Sequence, residues 1–202
     1  MIKKIIHYYV RRLKGLKIGF GAAVVNSKIT NKNWIGKNVS LTNTMLGKYT
    51  YISDESRIRD ATIGAFCSIG RNVKIGLGFH PISYISTSPF LYRKSFLGIK
   101  GFSEKDLFIE QDYRATAIGN DVWIGDNVLV CGGCNIGDGV VIGAGSIITK
   151  DLAPYGIYAG VPAKLIKKRN DKYQLEEGQL ESWWNHEESK IKKIVRNYNE
   201  RS

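Results

Sequence analysis

Aliphatic residues recur every six positions between residues 118 and 148, and this period limits the possible folds more than any other feature of the 202-residue chain. A period of six fits neither an α-helix, which repeats about every 3.6 residues, nor a plain alternating strand. It fits a short strand followed by a turn, repeated as the flat faces of a coil. The positions in register are Ile118, Ile124, Val130, Ile136, Ile142 and Ile148.

Small residues complete the repeat. Glycine follows most of these aliphatics, at positions 119, 125, 137 and 143, and suits turns because it tolerates backbone angles that side chains disfavour. The fifth position of each unit is small or β-branched: Val122, Val128, Cys134, Val140 and Ser146. The same pattern occurs at Ile63, Ile69 and Ile75, and a looser version with one-residue slips runs through Ile18, Val24, Ile35, Leu41, Leu46, Ile52 and Ile58.

The repeat predicts an all-β solenoid in which each coil stacks its aliphatic residues on those of its neighbours and the ends are capped. A β-sandwich with glycine-rich turns is the alternative, and the unbroken register of consecutive units disfavours it. We expect residues 1–15 to form an amphipathic helix and cap, 16–169 the β-helix with a loop insertion at 77–117, and 170–202 a C-terminal extension that is helical over 172–199. The insertion is rich in aromatic residues, and such long loops are usually functional.

The formal net charge is +12, and half of it lies in residues 1–17, which carry six Lys and Arg and no acid. A nucleic-acid binder would spread its basic residues over a recognition surface, whereas a local patch suits an anionic small molecule or a membrane surface. Residues 1–14 either plug the end of the solenoid or contact the inner face of a membrane. The odd cysteine count and the lack of a signal peptide or a long apolar run predict a cytoplasmic protein.

Cys131 and Cys134 spell Cys-Gly-Gly-Cys, a spacing found at zinc and redox sites. The repeat argues for structural roles instead, because Cys134 and Cys67 occupy the small inward position of their units. We therefore expect no metal.

Several segments resemble the hexapeptide-repeat acyltransferases, closest to the xenobiotic acetyltransferase-like branch with its chloramphenicol, streptogramin and sugar O-acetyltransferases. The likeness covers roughly residues 18–185 and is carried by IGAFCSIG (63–70), GFHPISYISTSPF (78–90), DVWIG (121–125), IGAGSIITKDLAPYGIYAGVPAKLIKKR (142–169) and LESWW (180–184). It implies a left-handed parallel β-helix, a homotrimer, and acetyl-CoA bound between neighbouring subunits.

His80 opens the insertion, and the resemblance implies that it is the general base. A hydroxyl is a poor nucleophile at neutral pH, so a base must take its proton as it attacks a thioester, and backbone N–H groups would stabilise the resulting oxyanion. A single histidine suffices for this chemistry. His7 and His186 are interpreted as solvated or packing residues.

The resemblance also suggests ligand-binding residues. It places the Ala144 backbone beside the pantetheine arm of acetyl-CoA, Thr149 and Lys150 near the cofactor, and Lys164 and Lys167 near its phosphates, where lysine donors suit a polyanion. Weaker candidates are Trp123 and Asp126 on the cofactor side and Tyr84, Ser86 and Ser88 on the acceptor side.

The leading hypothesis is acetyl-CoA-dependent O-acetylation of a sugar in a polysaccharide, O-antigen or capsule precursor. O-acetylation of an antibiotic and N-acetylation of a nucleotide-linked amino sugar are the alternatives on the same scaffold. Metal-dependent hydration, which related solenoids perform with three histidines, is disfavoured because His7 and His186 lie outside the repeats. A non-enzymatic scaffold would need neither His80 nor the basic run after 163.

Overall fold

The computed structural model of this chain describes residues 15–107, 114–169 and 182–200. Short strands wind through it as a coil with three faces, and strands of successive turns pair in parallel. The predicted parallel β-solenoid is confirmed.

Face one is an eight-stranded sheet. Its parallel strands are Lys17–Ile18, Trp34–Ile35, Tyr51–Ile52, Ser68–Ile69, Trp123–Ile124, Val141–Ile142 and Gly156–Gly160, and the last strand, Ala163–Lys168, turns back antiparallel on Gly156–Gly160.

Faces two and three belong to one continuous hydrogen-bonded sheet that bends around a corner. Face two holds Ala23–Val25, Lys74–Leu77, Leu129–Cys131 and Ile147–Ile148, and face three holds Thr116–Ile118 and Asn135–Ile136. Two longer strands, Ser40–Leu46 and Arg57–Ile63, run through the corner and contribute to both faces.

The six-residue period is the length of one face plus its turn. Successive aliphatics of the repeat therefore visit faces three, one and two in order, and every third one returns to the same face. The register shows this return in the pairs Ile118↔Ile136, Ile124↔Ile142 and Val130↔Ile148. All six side chains are buried in one core that runs the length of the coil.

The slips in the early repeats have a single structural origin at the second corner, between faces two and three. The strand Ser40–Leu46 crosses this corner without a separate turn, and so does Arg57–Ile63. Asn43 and Asp60 make the bend with positive φ angles of 50° and 47°. Their side chains form a ladder, in which the Asn43 amide donates to the Asp60 carboxylate at 2.7 Å.

The insertion leaves the coil at this same second corner. It begins after Lys74–Leu77, and the period resumes at Thr116–Ile118. Between them lie a 3₁₀ turn, Pro89–Leu91, and an antiparallel hairpin of Ser95–Phe96 with Ile99–Lys100. Residues 78–115 are called the excursion loop below.

The antiparallel last strand closes the C-terminal end of the coil. The Arg169 guanidinium then pairs with Asp121 at 2.9 Å and donates to the Gly139 carbonyl at 3.1 Å. Arg169 is thereby fixed to the third corner, between faces three and one.

The C-terminal extension departs from the predicted helix over 172–199. Residues 170–181 lie outside the described residues. Beyond them stands a 3₁₀ turn, Trp183–Asn185, followed by helix α1, Glu188–Asn199. Ser182 has a positive φ of 64°, which interrupts an α-helix at this residue. Trp184 is buried, so this segment packs through its tryptophan in place of continuing the predicted helix. The predicted N-terminal helix lies outside the described residues, among which no helix has the length and apolar character needed to cross a membrane.

The start of α1 is attached to the third corner of the coil. Phe66 and Tyr49 stack there at 4.9 Å between ring centroids, and Trp183 packs on Phe66 at 4.6 Å. Lys32 donates to the Glu188 carboxylate at 2.7 Å, and the Tyr49 hydroxyl donates to the same group. Hydrogen bonding to Lys32, and then to Tyr49, lowers the pKa of Glu188.

Replacing Glu188 with glutamine is expected to loosen α1 without disturbing the coil. The folded-state pKa of Glu188 is lowered, so its carboxylate stabilises the attachment of α1 fully at pH values above the ordinary pKa range of glutamate. This stabilisation is lost as the pH falls through the lowered pKa. We expect trypsin to cut faster after Lys190 and Lys192 in E188Q, measured as the rate of loss of the C-terminal peptide. The neighbouring change E187Q is the matched control, and equal rates in the two variants would contradict the attachment.

Candidate active site

His80 lies in the first turns of the excursion loop, exposed at the second corner. Its Nδ1 atom is 2.8 Å from the backbone carbonyl oxygen of Thr87. A carbonyl oxygen only accepts, so Nδ1 carries the proton of the neutral ring and donates it. The Nε2 lone pair is left to accept a proton from another molecule, which is the tautomer a general base needs.

Tyr92 contacts the His80 ring and is 0% exposed. Its hydroxyl oxygen is 3.3 Å from His80 Nδ1. The backbone of Tyr92 is held on both sides, since its N–H donates to the Pro89 carbonyl at 3.2 Å and its carbonyl accepts from Leu107 N–H at 2.8 Å. The excursion loop therefore contacts the Nδ1 edge of His80 with a buried side chain.

The loop meets the coil at a glycine. The N–H of Gly132 donates to the Leu77 carbonyl at 2.9 Å, where the loop departs. A Cβ atom at position 132 would lie 2.9 Å from the same oxygen, closer than real Cβ contacts allow. Glycine at the centre of Cys-Gly-Gly-Cys is therefore explained by close packing of the backbone.

The acceptor-side candidates follow His80 on the same loop. The Ser86 hydroxyl accepts from Ser88 N–H at 3.0 Å, which shapes the turn before Pro89. Tyr84 is more than one-third exposed. Tyr84, Ser86 and Ser88 thus share a loop segment with His80, and their contact with an acceptor stays a prediction.

One group of cofactor candidates lies on face one and the first corner, between faces one and two. Trp123 points outward from face one and is 57% exposed, and Ala144 is exposed where the chain turns onto face two. The Asp126 carboxylate accepts from Arg71 N–H at 2.7 Å, so its described contact stabilises the corner. Its role toward the cofactor stays a prediction.

A second group is separated from the first. Thr149 and Lys150 are exposed just after Ile147–Ile148, at the second corner. Lys164 and Lys167 are exposed on the last strand of face one. The structure therefore brings Thr149 and Lys150 to the corner that bears His80. Trp123 and Ala144 lie on the other side of face two, and a six-residue extended segment such as one face is roughly 15–20 Å long.

The cysteines are packed into the coil as their register predicted. Cys67 and Cys134 are buried in the core, and burial raises the pKa of each thiol to about 11. Burial also raises the pKa of Cys131, which is half-buried. In the described residues, no three His, Cys, Asp or Glu side chains group as a metal ion would require.

Two groups that contact His80 were not identified from the sequence. The Thr87 carbonyl is a backbone atom, and its direction depends on the path of the loop. Tyr92 is one of 11 tyrosines in the chain, and nothing in its spacing from His80 distinguishes it from Tyr84.

Comparison with known proteins places these features among enzymes. Residues 115–150 match the family model described as bacterial transferase hexapeptide (six repeats). A chloramphenicol acetyltransferase of Morganella morganii is 35% identical over 178 residues, covering 78% of this chain and 83% of that protein. A probable macrolide acetyltransferase of Lysinibacillus sphaericus is 39% identical over 141 residues, covering 68% and 73%.

A solved structure also matches at the level of sequence and fold. The galactoside acetyltransferase in complex with coenzyme A superposes with a TM-score of 0.51 and 26% identity, and the match covers 87% of this chain and 77% of that one.

Proposed function

The chain belongs to the hexapeptide-repeat acetyltransferases, in the branch with chloramphenicol and sugar acetyltransferases, and from this premise we propose that it moves the acetyl group of acetyl-CoA to a sugar hydroxyl with His80 as general base. The observation that carries the proposal is the hydrogen bond from His80 Nδ1 to the Thr87 carbonyl. This hydrogen bond keeps the proton of the neutral ring on Nδ1, so that the lone pair of Nε2 can accept a proton.

The proposed step balances with His80 alone. Acetyl-CoA supplies an activated acetyl thioester. As Nε2 of His80 removes the hydroxyl proton, the sugar oxygen forms a bond to the acetyl carbon. The carbon–sulfur bond then breaks, and the protonated ring returns the proton to the departing thiolate. The products are an acetyl ester and free coenzyme A, and His80 regains its starting tautomer.

The described residues fit the parts of acetyl-CoA. Lys164 and Lys167 offer ammonium donors on an exposed strand, which suits phosphates. The Trp123 ring offers an exposed apolar surface to the pantetheine arm, and the exposed backbone at Ala144 offers polar groups to its amides. Thr149 and Lys150 would meet the arm near the thioester.

The proposed site uses more than one copy of the chain. His80 and Thr149 lie at the second corner, whereas Trp123 points outward from face one, so a single prism presents the two groups on different sides. Placing the second corner of one protomer against face one of the next joins the two groups. We therefore propose that acetyl-CoA lies between protomers of a homotrimer, which would also cover exposed rings such as Trp34.

A sugar is proposed as acceptor because the galactoside acetyltransferase structure matches most of the chain. An antibiotic is the second candidate, favoured by the identity to chloramphenicol and macrolide acetyltransferases. We place the enzyme in the cytoplasm, acting on polysaccharide precursors, with residues 1–14 as the proposed contact to the inner membrane face.

The test is an acceptor panel in which release of free thiol from acetyl-CoA is followed. Methyl galactoside, a nucleotide-linked amino sugar, chloramphenicol and a macrolide are compared. We expect turnover with the glycoside and a base-labile ester as product. The fully O-methylated glycoside is the matched control and should be inactive. Turnover restricted to the amino sugar, with a stable amide as product, would overturn O-acetylation, and turnover restricted to the antibiotics would overturn the sugar.

A further inference from the structure

We propose that Tyr92 is a positioning residue for His80, an inference that rests on the proposed role of His80 as the base. The Tyr92 side chain is fully buried and its hydroxyl oxygen is 3.3 Å from His80 Nδ1. His80 itself is exposed, so the ring has a buried polar contact on one edge and open solvent on the other.

The hydrogen positions follow from the neighbouring carbonyl. Nδ1 lies 2.8 Å from the Thr87 oxygen, and without a proton between them two acceptors would repel each other. Nδ1 therefore keeps its proton, and it has no lone pair left for the Tyr92 hydroxyl. The phenol oxygen faces the N–H as a second, longer acceptor.

Two acceptors on one N–H have two effects on the reaction. They favour the protonated ring that exists while His80 holds the sugar proton, because that ring is the stronger donor. They also oppose rotation of the ring, which would present Nδ1 to the acceptor in place of Nε2. An oxygen of Thr87 and one of Tyr92 thus contact Nδ1, the ring nitrogen that an acid orients in a Ser-His-Asp triad.

The backbone around Tyr92 is suited to this task. The residue follows the 3₁₀ turn Pro89–Leu91, and backbone hydrogen bonds to Pro89 and Leu107 hold it on both sides. A phenol on a fixed backbone and buried on all sides has little freedom to follow a rotating imidazole. The contact therefore resists movement of His80.

The test replaces Tyr92 with phenylalanine, which keeps the ring and removes the hydroxyl. We expect kcat to fall about 3–10-fold with an unchanged KM for acetyl-CoA, as suits the loss of one buried hydrogen bond. The acid limb of the kcat profile should move to lower pH, because the ring then loses its proton more readily. Tyr49→Phe is the matched control, since it removes a hydroxyl at the distant third corner, and it should leave both readouts unchanged.

A measurement without turnover separates this role from simple packing. In protein labelled with ¹⁵N-histidine, and assigned with His80→Gln, the wild type should show His80 with its proton on Nδ1. Y92F should keep that tautomer, because the Thr87 carbonyl still accepts the proton, but its Nδ1 signal should shift because the N–H has lost its second acceptor. Identical ¹⁵N shifts and an unmoved acid limb in Y92F, with His80→Gln inactive, would overturn the role of Tyr92 alone. Full turnover by His80→Gln would instead overturn the proposed function.

Discussion

Replacing His80 with glutamine lowers kcat for acetyl transfer by about 10²–10⁴-fold, the usual contribution of a general base. Glutamine keeps an N–H donor for the Thr87 carbonyl but has no lone pair of comparable basicity to take the hydroxyl proton. Binding of acetyl-CoA is unchanged, because its proposed contacts lie on the coil. Thiol release gives the rate, and calorimetric titration with acetyl-CoA gives the affinity.

His186→Gln is the matched control, since it makes the same chemical change at the third corner. The described hydrogen bonds of His186 are made by its backbone, since its carbonyl accepts from the Lys48 ammonium at 2.9 Å and its N–H donates to the Trp183 carbonyl at 3.1 Å. We expect wild-type turnover from this variant. A His80→Gln enzyme that keeps more than a tenth of wild-type kcat would reject His80 as the base.

Replacing Ile124 with alanine lowers the free energy of unfolding by about 2–5 kcal/mol, as for other buried isoleucines cut back to alanine. Ile124 is 0% exposed and stands in the middle of face one, paired in register with Ile69 below and Ile142 above. Each coil contacts only its neighbours, so a cavity in one rung weakens two interfaces. A domain is stable by only about 5–15 kcal/mol, so the loss is a large share.

The shift in the urea unfolding midpoint measures this effect. Ile166→Ala, on the last strand of the same sheet, is the control, because Ile166 is 62% exposed and its truncation opens no cavity. We expect its free energy of unfolding to lie within about 0.5 kcal/mol of the wild-type value. Equal midpoints in the two variants would mean that the stability of the coil does not depend on the buried stack of Ile69, Ile124 and Ile142.

The stacking of the coil follows from the sequence, whereas the path of its corners does not. Ile118, Ile124 and Val130 were assigned inward positions by spacing alone, and all three are buried. The one-residue slips at Leu46 and Ile63 could not be assigned to one corner from the sequence. The spacing shows that a unit is one residue short, but it does not show which turn of the coil is shortened. Side-chain and backbone contacts at Asn43 and Asp60 make the short corner possible.

The candidate site shows the same division. His80 was singled out by its residue type, its place at the head of the insertion and the family resemblance, and its role as the base stays a prediction. The carbonyl of Thr87 and the hydroxyl of Tyr92 required the fold of the loop. The helix predicted from 172 begins at Glu188 in the described residues, because Ser182 has a left-handed backbone and Trp183–Asn185 forms a 3₁₀ turn that packs Trp183 on Phe66.

The reversed final strand has a consequence for how copies of this protein behave in a crowded cell. A stack of parallel rungs with an open end is a template on which another stack could grow, in the manner of an amyloid fibre. Ala163–Lys168 runs against the direction of the other rungs and lines that end with Lys164, Lys167 and Lys168. An incoming rung would meet mismatched polarity and like charge, so this end of the molecule resists polymerisation.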